Sequence, residues 1–114
     1  MKLSEKLCLV YMTSGSPEEA KKIGKILVEQ NLVACVNLLA NMTSIYKWED
    51  KYEEDQEVVI IAKTRKSLMP KLIETVKILH SYDCVCILEL PIQGGNPDFL
   101  NWIESETADA EERQ

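Results

Sequence analysis

Val58-Val59-Ile60-Ile61-Ala62 and Cys84-Val85-Cys86-Ile87-Leu88-Glu89-Leu90 are two almost unbroken apolar runs in a chain of 114 residues. Strand-forming stretches that skip the usual polar alternation are expected where both faces of a sheet are covered. A chain this short builds one hydrophobic core, so it has to cover two sheet faces with very little material. That tension governs the reading of the remaining sequence.

Helical patterns flank these runs. Ser16-Pro17-Glu18-Glu19 supplies an N-cap serine, a proline at the first helical position and a glutamate spaced to close a capping box. Ala20, Ile23, Gly24, Leu27 and Val28 follow at helical spacing, with Asn31 as a left-handed stop after about Gln30. A second helix begins near Ser67, with Pro70 in its first turn and Leu68, Leu72, Ile73, Val76 and Leu79 on one face. Asn96-Pro97-Asp98 caps a short third helix carrying Phe99, Leu100, Trp102 and Ile103. Strands are expected at Leu7–Met12, from Val33 to Trp48 with a bend around Leu39-Ala40-Asn41, through Val58–Ala62, and over Cys84–Leu90. Glu49-Asp50-Lys51 forms the turn between the second and third strands, and residues 108–114 read as a frayed tail of a single domain spanning 1–114.

The resulting order is βαββαβ plus a C-terminal helix, an α+β ferredoxin-like arrangement with an antiparallel sheet. Right-handed crossovers put both main helices on one face, which leaves the other face open. Association of subunits is the economical cover for it; the short third helix alone is the alternative.

Composition narrows the partners. A net charge of -6 and no Lys/Arg block weigh against nucleic acid and anionic membranes. The charged start Met1–Lys6 lacks the form of a secretion signal and no apolar run reaches membrane-spanning length, so a cytoplasmic protein with free thiols is expected. No glycine-rich phosphate loop, serine–histidine–acid set or paired zinc motif occurs, and no catalytic role is expected.

Two sets of side chains could bind something. His80 is the single histidine, at the expected end of the second helix, where it is either a metal ligand or a cap favoured by the helix dipole. Cys84 and Cys86, two apart in an expected strand, would share a face with Cα atoms roughly 6.5 to 7 Å apart, suited to a shared soft ion and poorly suited to a disulfide. Cys8 on the neighbouring strand could complete a three-thiol cluster for Cu(I) or Zn, the alternative being that all are small buried hydrophobes. The acidic hairpin tip, Glu49 to Asp55, could collect divalent cations weakly, but it has no calcium-loop spacing and reads rather as a solvated end.

Leu32-Val33-Ala34-Cys35-Val36-Asn37, Ser44-Ile45-Tyr46-Lys47-Trp48-Glu49, Glu57 through Lys63-Thr64, His80-Ser81-Tyr82 and Phe99-Leu100-Asn101-Trp102 resemble the CutA divalent-cation tolerance family in order and spacing. The resemblance implies a ferredoxin-like fold, a homotrimer with pockets between subunits, and tolerance of divalent metals with copper binding. It places Tyr46, Trp48, Glu57, Lys63, Thr64, Tyr82 and Trp102 around such a pocket, with Lys63 holding an anion and Glu57 as its counter-charge; interface contact is the other reading of these residues. His80, Cys86 and Met12 fall where the family's proposed copper ligands stand, but Cys86 occupies a position at which the family usually has glutamate, and Met12 one at which it has cysteine. Three functions follow as expectations: a metal-binding tolerance protein, a trimeric small-molecule sensor resembling the nitrogen-regulatory signalling proteins, or a structural trimer.

Overall fold

The computed structural model describes residues 6–107. Four strands and three α-helices follow in the order β1 (Leu7–Ser14), α1 (Pro17–Glu29), β2 (Cys35–Trp48), β3 (Lys51–Arg65), α2 (Met69–Leu79, entered through a 3-10 turn at Lys66–Leu68), β4 (Ile87–Pro91) and α3 (Pro97–Glu106). The sheet order is β2-β3-β1-β4 and every neighbouring pair is antiparallel. The ferredoxin-like expectation therefore holds.

Register assigns the faces. Cys8, Val10 and Met12 pair with Thr64, Ala62 and Ile60. Their side chains join Ala20, Ile23 and Leu27 of α1 and Met69, Leu72 and Val76 of α2 in the main core. Alternation sends Leu9, Tyr11, Val59, Ile61 and Lys63 to the opposite face. There α3 covers one end only, where Ile103 packs with Leu7 and Ala34. Arg65 fixes that helix: its Nε donates to Thr107 Oγ1 at 3.0 Å and its Nη2 to the Glu104 carbonyl at 2.5 Å. A buried cation thus binds a carbonyl of the last helical turn, where intrahelical donors run out. The remainder of this face stays open in the single chain, with Leu39, Leu88 and Leu90 exposed to 55%, 58% and 45%.

The expected fourth strand is too long at its start. Pairing with β1 begins at Ile87, opposite Met12, so Cys84, Val85 and Cys86 lie in the preceding loop. The same-face geometry expected of the two thiols does not apply to them. Nor do three thiols converge, because Cys8 is buried opposite Pro91, at the far end of β4 from Cys86. β3, conversely, is longer than its apolar run, because pairing with β2 carries it out to Lys51.

That pairing builds an arm. Beyond the core, β2 and β3 continue as a two-stranded ribbon to a tight turn at Glu49 and Asp50, whose φ values of 50° and 66° match the primed turns that suit twisted hairpins. The molecule is 50 Å long and 25 Å wide as a result. One extra residue interrupts β2 between Leu39 and Met42, where Asn41 takes a left-handed φ of 62°. The anticipated bend is a β-bulge, and asparagine tolerates its backbone better than most residues.

A polar network ties the 80–86 loop to this frame. Ser16 caps α1 by accepting from the Glu19 amide at 3.2 Å. The Glu19 carboxylate does not complete the box; it accepts instead from Ser14 Oγ at 2.6 Å and from the Ser81 amide at 2.9 Å. Burial acts to raise its pKa, but those hydrogen bonds and the nearby His80 ring outweigh it and hold the carboxyl below its ordinary value. His80 lies alongside, its Nε2 2.7 Å from the Thr13 carbonyl and its Nδ1 3.0 Å from the Tyr82 amide. Those partners assign the proton to Nε2 and make Nδ1 an acceptor.

Two outcomes follow. Because the folded pKa of Glu19 is depressed, its contribution is complete above the unfolded carboxyl value and disappears as pH falls through the folded one. Urea midpoints of the wild type should therefore drop on acidification below about pH 5, and Glu19→Gln should flatten part of that slope while costing about 1–2 kcal/mol at neutral pH. Removing the guanidinium with Arg65→Ala should release α3, seen as rapid amide exchange over residues 97–107 and a loss of about 2–3 kcal/mol. Unchanged exchange there would show that Ile103 packing alone holds the helix.

Candidate functional site

The bulge decides which side chains of the arm meet. Past Met42, the pairs Tyr46–Glu53 and Trp48–Lys51 put the two aromatics on the same ribbon face as Glu53, Asp55 and Glu57. The Tyr46 hydroxyl donates to Asp55 Oδ2 at 2.5 Å, and this bond pushes its pKa up to about 12. From the other side, the 80–86 loop brings Tyr82 across Gly15, where even a methyl group would come within 3.0 Å of the phenol oxygen. The Tyr82 hydroxyl then donates to Glu57 Oε2 at 2.9 Å, and burial together with that carboxylate raises its pKa to about 12. Its ring packs at 4.7 Å from the His80 ring.

Between arm and loop lies a cleft of about 440 Å³. Tyr46, Trp48 and Tyr82 form aromatic walls; Glu53, Glu57 and Asp83 bring carboxylates; Cys84, Cys86 and Thr13 close the inner end. Among the described residues no lysine, arginine or histidine lines it. Cys84 is exposed and Cys86 half-buried, and burial raises the Cys86 thiol above its usual pKa although a hydrogen bond with Thr13 works in the opposite direction. No disulfide joins the four cysteines.

Sequence reasoning placed Tyr46, Trp48, Glu57 and Tyr82 at one site, and the fold brings them together. Lys63, Thr64 and Trp102 are elsewhere. Thr64 is fully buried and donates to the Leu32 carbonyl at 2.6 Å, a bond that joins β3 to the start of β2. Lys63 donates to Asn37 Oδ1 and faces the α3 end of the sheet. Six residues of strand separate it from Glu57, roughly 20 Å, so the two cannot act as charge and counter-charge within one chain. Trp102 packs against Phe99 on α3, with ring centroids 5.4 Å apart. Met12 is fully buried in the main core and reaches no solvent where an ion could enter. His80 has both ring nitrogens bound to the backbone, leaving no lone pair for an ion in this arrangement. Among the described residues no three His, Cys, Asp or Glu side chains converge as a metal site. Sequence reasoning missed Glu53 and Asp83 as cleft residues; the two-residue turn at Glu49-Asp50 was the signal that could have set the register of Glu53 opposite Tyr46.

The comparisons with known proteins agree with this architecture. Residues 8–106 match the sequence profile of the CutA1 divalent ion tolerance protein family. The divalent-cation tolerance protein CutA of Thermus thermophilus is 44% identical over 99 residues, which are 87% of this chain and 96% of that protein. Mouse protein CutA is 42% identical over 85% of this chain, and the chain spans only 55% of that longer relative. The crystal structure of CutA1 from Oryza sativa superposes with a TM-score of 0.90 at 37% identity, covering 93% of this chain and 97% of that one. Similarity that runs from β1 through α3 and includes the hairpin arm leaves one conclusion: the chain belongs to the CutA1 divalent ion tolerance protein family.

Proposed function

We propose that this chain serves divalent-cation tolerance as a non-catalytic cytoplasmic homotrimer, and that the ion it handles is a soft one, copper before zinc. The observation that carries the choice of ion is the pair of thiols at the inner end of the cleft, Cys84 exposed and Cys86 half-buried, both in a loop rather than fixed in the sheet. Thiolates select Cu(I) over hard ions. Two sulfurs with no third converging donor among the described residues suit a low-coordinate ion better than tetrahedral zinc, which needs four ligands. Further donors would come from a neighbouring subunit. His80 and Met12 are left out of the ligand set, the first because its nitrogens are committed and the second because it is enclosed.

Assembly is supported by Leu39, Leu88 and Leu90, whose exposure on one face of the sheet is costly for a solitary chain. The number three rests on resemblance to the family. The cytoplasm is supported by four cysteines that form no disulfide with one another, a state which an oxidising compartment would not favour. A sensor that grips an anion is less well supported, since the cleft is lined by carboxylates and Lys63 stands apart from it.

Native mass spectrometry tests this reading on protein purified without chelator under reducing conditions, before and after Cu(I), Cu(II) and Zn(II). Expected are a trimer and a fixed stoichiometry of Cu(I) per chain, lost in Cys84→Ser/Cys86→Ser and kept in Met12→Leu. Protein that stays metal-free throughout would sink the metal assignment, and a monomer at micromolar concentration would sink the assembly.

A further inference from the structure

His80 is a buried titratable group to which the proposed function gives no task, and its surroundings fit only one of its two charge states. Its Nε2–H donates to the Thr13 carbonyl at 2.7 Å, and its Nδ1 lone pair accepts from the Tyr82 amide at 3.0 Å. A neutral imidazole fills both roles. An imidazolium keeps only the first, because a protonated Nδ1 is a donor facing another donor. An acceptor for that new proton stands beside it: Glu19 Oε1 is 3.9 Å from Nδ1, just beyond hydrogen-bond reach. The groups around the ring come from each element packed on it. α1 presents Glu19, β1 the uncharged Thr13 and Ser14, and the loop Tyr82 and, beyond Thr13, the Cys86 thiol. β3 reaches the site through Glu57, on the far side of the Tyr82 hydroxyl, and Lys77 in the last turn of α2 is exposed. Among the described residues, Glu19 is thus the full charge that meets the ring.

Tyr82 is the residue that this ring controls. Its amide rests on Nδ1, its ring lies 4.7 Å from the imidazole, and its hydroxyl carries the contact to Glu57 on the arm. We infer that His80 is a proton-operated latch: neutral, it holds Tyr82 and the loop that follows; charged, it gives its Nδ1–H to Glu19 and releases the Tyr82 amide, freeing residues 82–86 and their link to the arm. Ser81 is a built-in contrast, because its amide is held by Glu19 Oε2 and not by the ring. Burial acts to raise the pKa of Glu19, but hydrogen bonds from Ser14 and Ser81 hold it below the usual carboxyl value. Imidazoles as a class titrate higher, between about pH 5 and 8. The Tyr82 bond is therefore present above the imidazole titration and lost below it, while the Ser81 bond persists until the carboxylate itself is protonated. The latch requires no ion at Cys84 or Cys86; under the soft-ion reading it makes their loop responsive to pH.

Amide-exchange NMR on the intact, metal-free, reduced protein from about pH 8 to pH 5 tests it, with protection factors corrected for the intrinsic pH dependence of exchange. Protection at Tyr82 should fall about tenfold or more in step with the charging of His80, followed through its ring nitrogens. Ser81 and the core amides of Val10 and Ile60, in the two central strands, should keep theirs. His80→Asn offers a carbonyl oxygen near the place of Nδ1 and cannot charge, so Tyr82 should stay protected over the whole range. Glu19→Gln removes the anion that takes the new proton and should displace the Tyr82 step to lower pH. A ring that stays neutral to pH 5, Tyr82 protection indifferent to its charge, or a simultaneous loss at Ser81 and the core would each overturn the latch. So would an unchanged step in His80→Asn or an unmoved one in Glu19→Gln. The wild-type titration decides the matter even where a buried substitution disturbs packing. Failure of Cu(I) uptake has no bearing on it, so the two readings stand or fall separately.

Discussion

β3 is the strand on which the structure depends. It is fifteen residues long and pairs with β2 along nearly its whole length and with β1 along its second half. Its inner half, Val58 to Ala62, is anchored by burial, with Ile60 and Ala62 fully enclosed. Its outer half carries the carboxylates of the cleft and has no helix beneath it. Backbone hydrogen bonding to β2 therefore carries the rigidity of the core outward to side chains that have almost no core of their own. The position of Glu53 relative to Tyr82 is consequently set by the β1–β3 register.

The other wall of the cleft is held by polar contacts. Glu19, His80, Ser81 and Tyr82 form one connected set at the junction of α1, α2 and β1, and the buried ring of His80 has both nitrogens satisfied. Such a network is costly when incomplete and strongly position-determining when complete. It leaves the following residues, Asp83 to Cys86, suspended between a fixed Tyr82 and the first rung of β4. Cys84 and Cys86 thus sit where backbone adjustment is cheapest, which suits the ion-binding role proposed for them.

Much of this could be read in the sequence, for identifiable reasons. The cap at Ser16, the stop at Asn31, the bend near Asn41 and the cap at Asn96 ahead of Pro97 all rest on local backbone chemistry, and each stands where residue type put it. The beginning of β4 was misread because Cys84-Val85-Cys86 is apolar enough for a strand, whereas the His80–Tyr82 anchor turns the chain and delays pairing until Ile87. Lys63 and Glu57 shared a plausible charge logic, but strand geometry separates them by far more than an ion pair allows. Glutamate at the third position of α1 has two uses, a reciprocal cap or a distant partner, and sequence spacing alone does not distinguish them. Here the distant partner prevails.

The bulge between Leu39 and Met42 acts on the rest of β2 as a frameshift acts on a message. Up to Leu39 the odd-numbered residues of the strand face away from the main core, and after Met42 the even-numbered ones do. Tyr46 and Trp48 reach the carboxylates only because of this change of phase. In the other phase Ile45 and Lys47 would take their places, and the cleft would exchange its aromatic wall for an aliphatic one with a resident positive charge. A change of one residue in length near Asn41 would thus invert the ligand preference of the site without a single substitution in the arm.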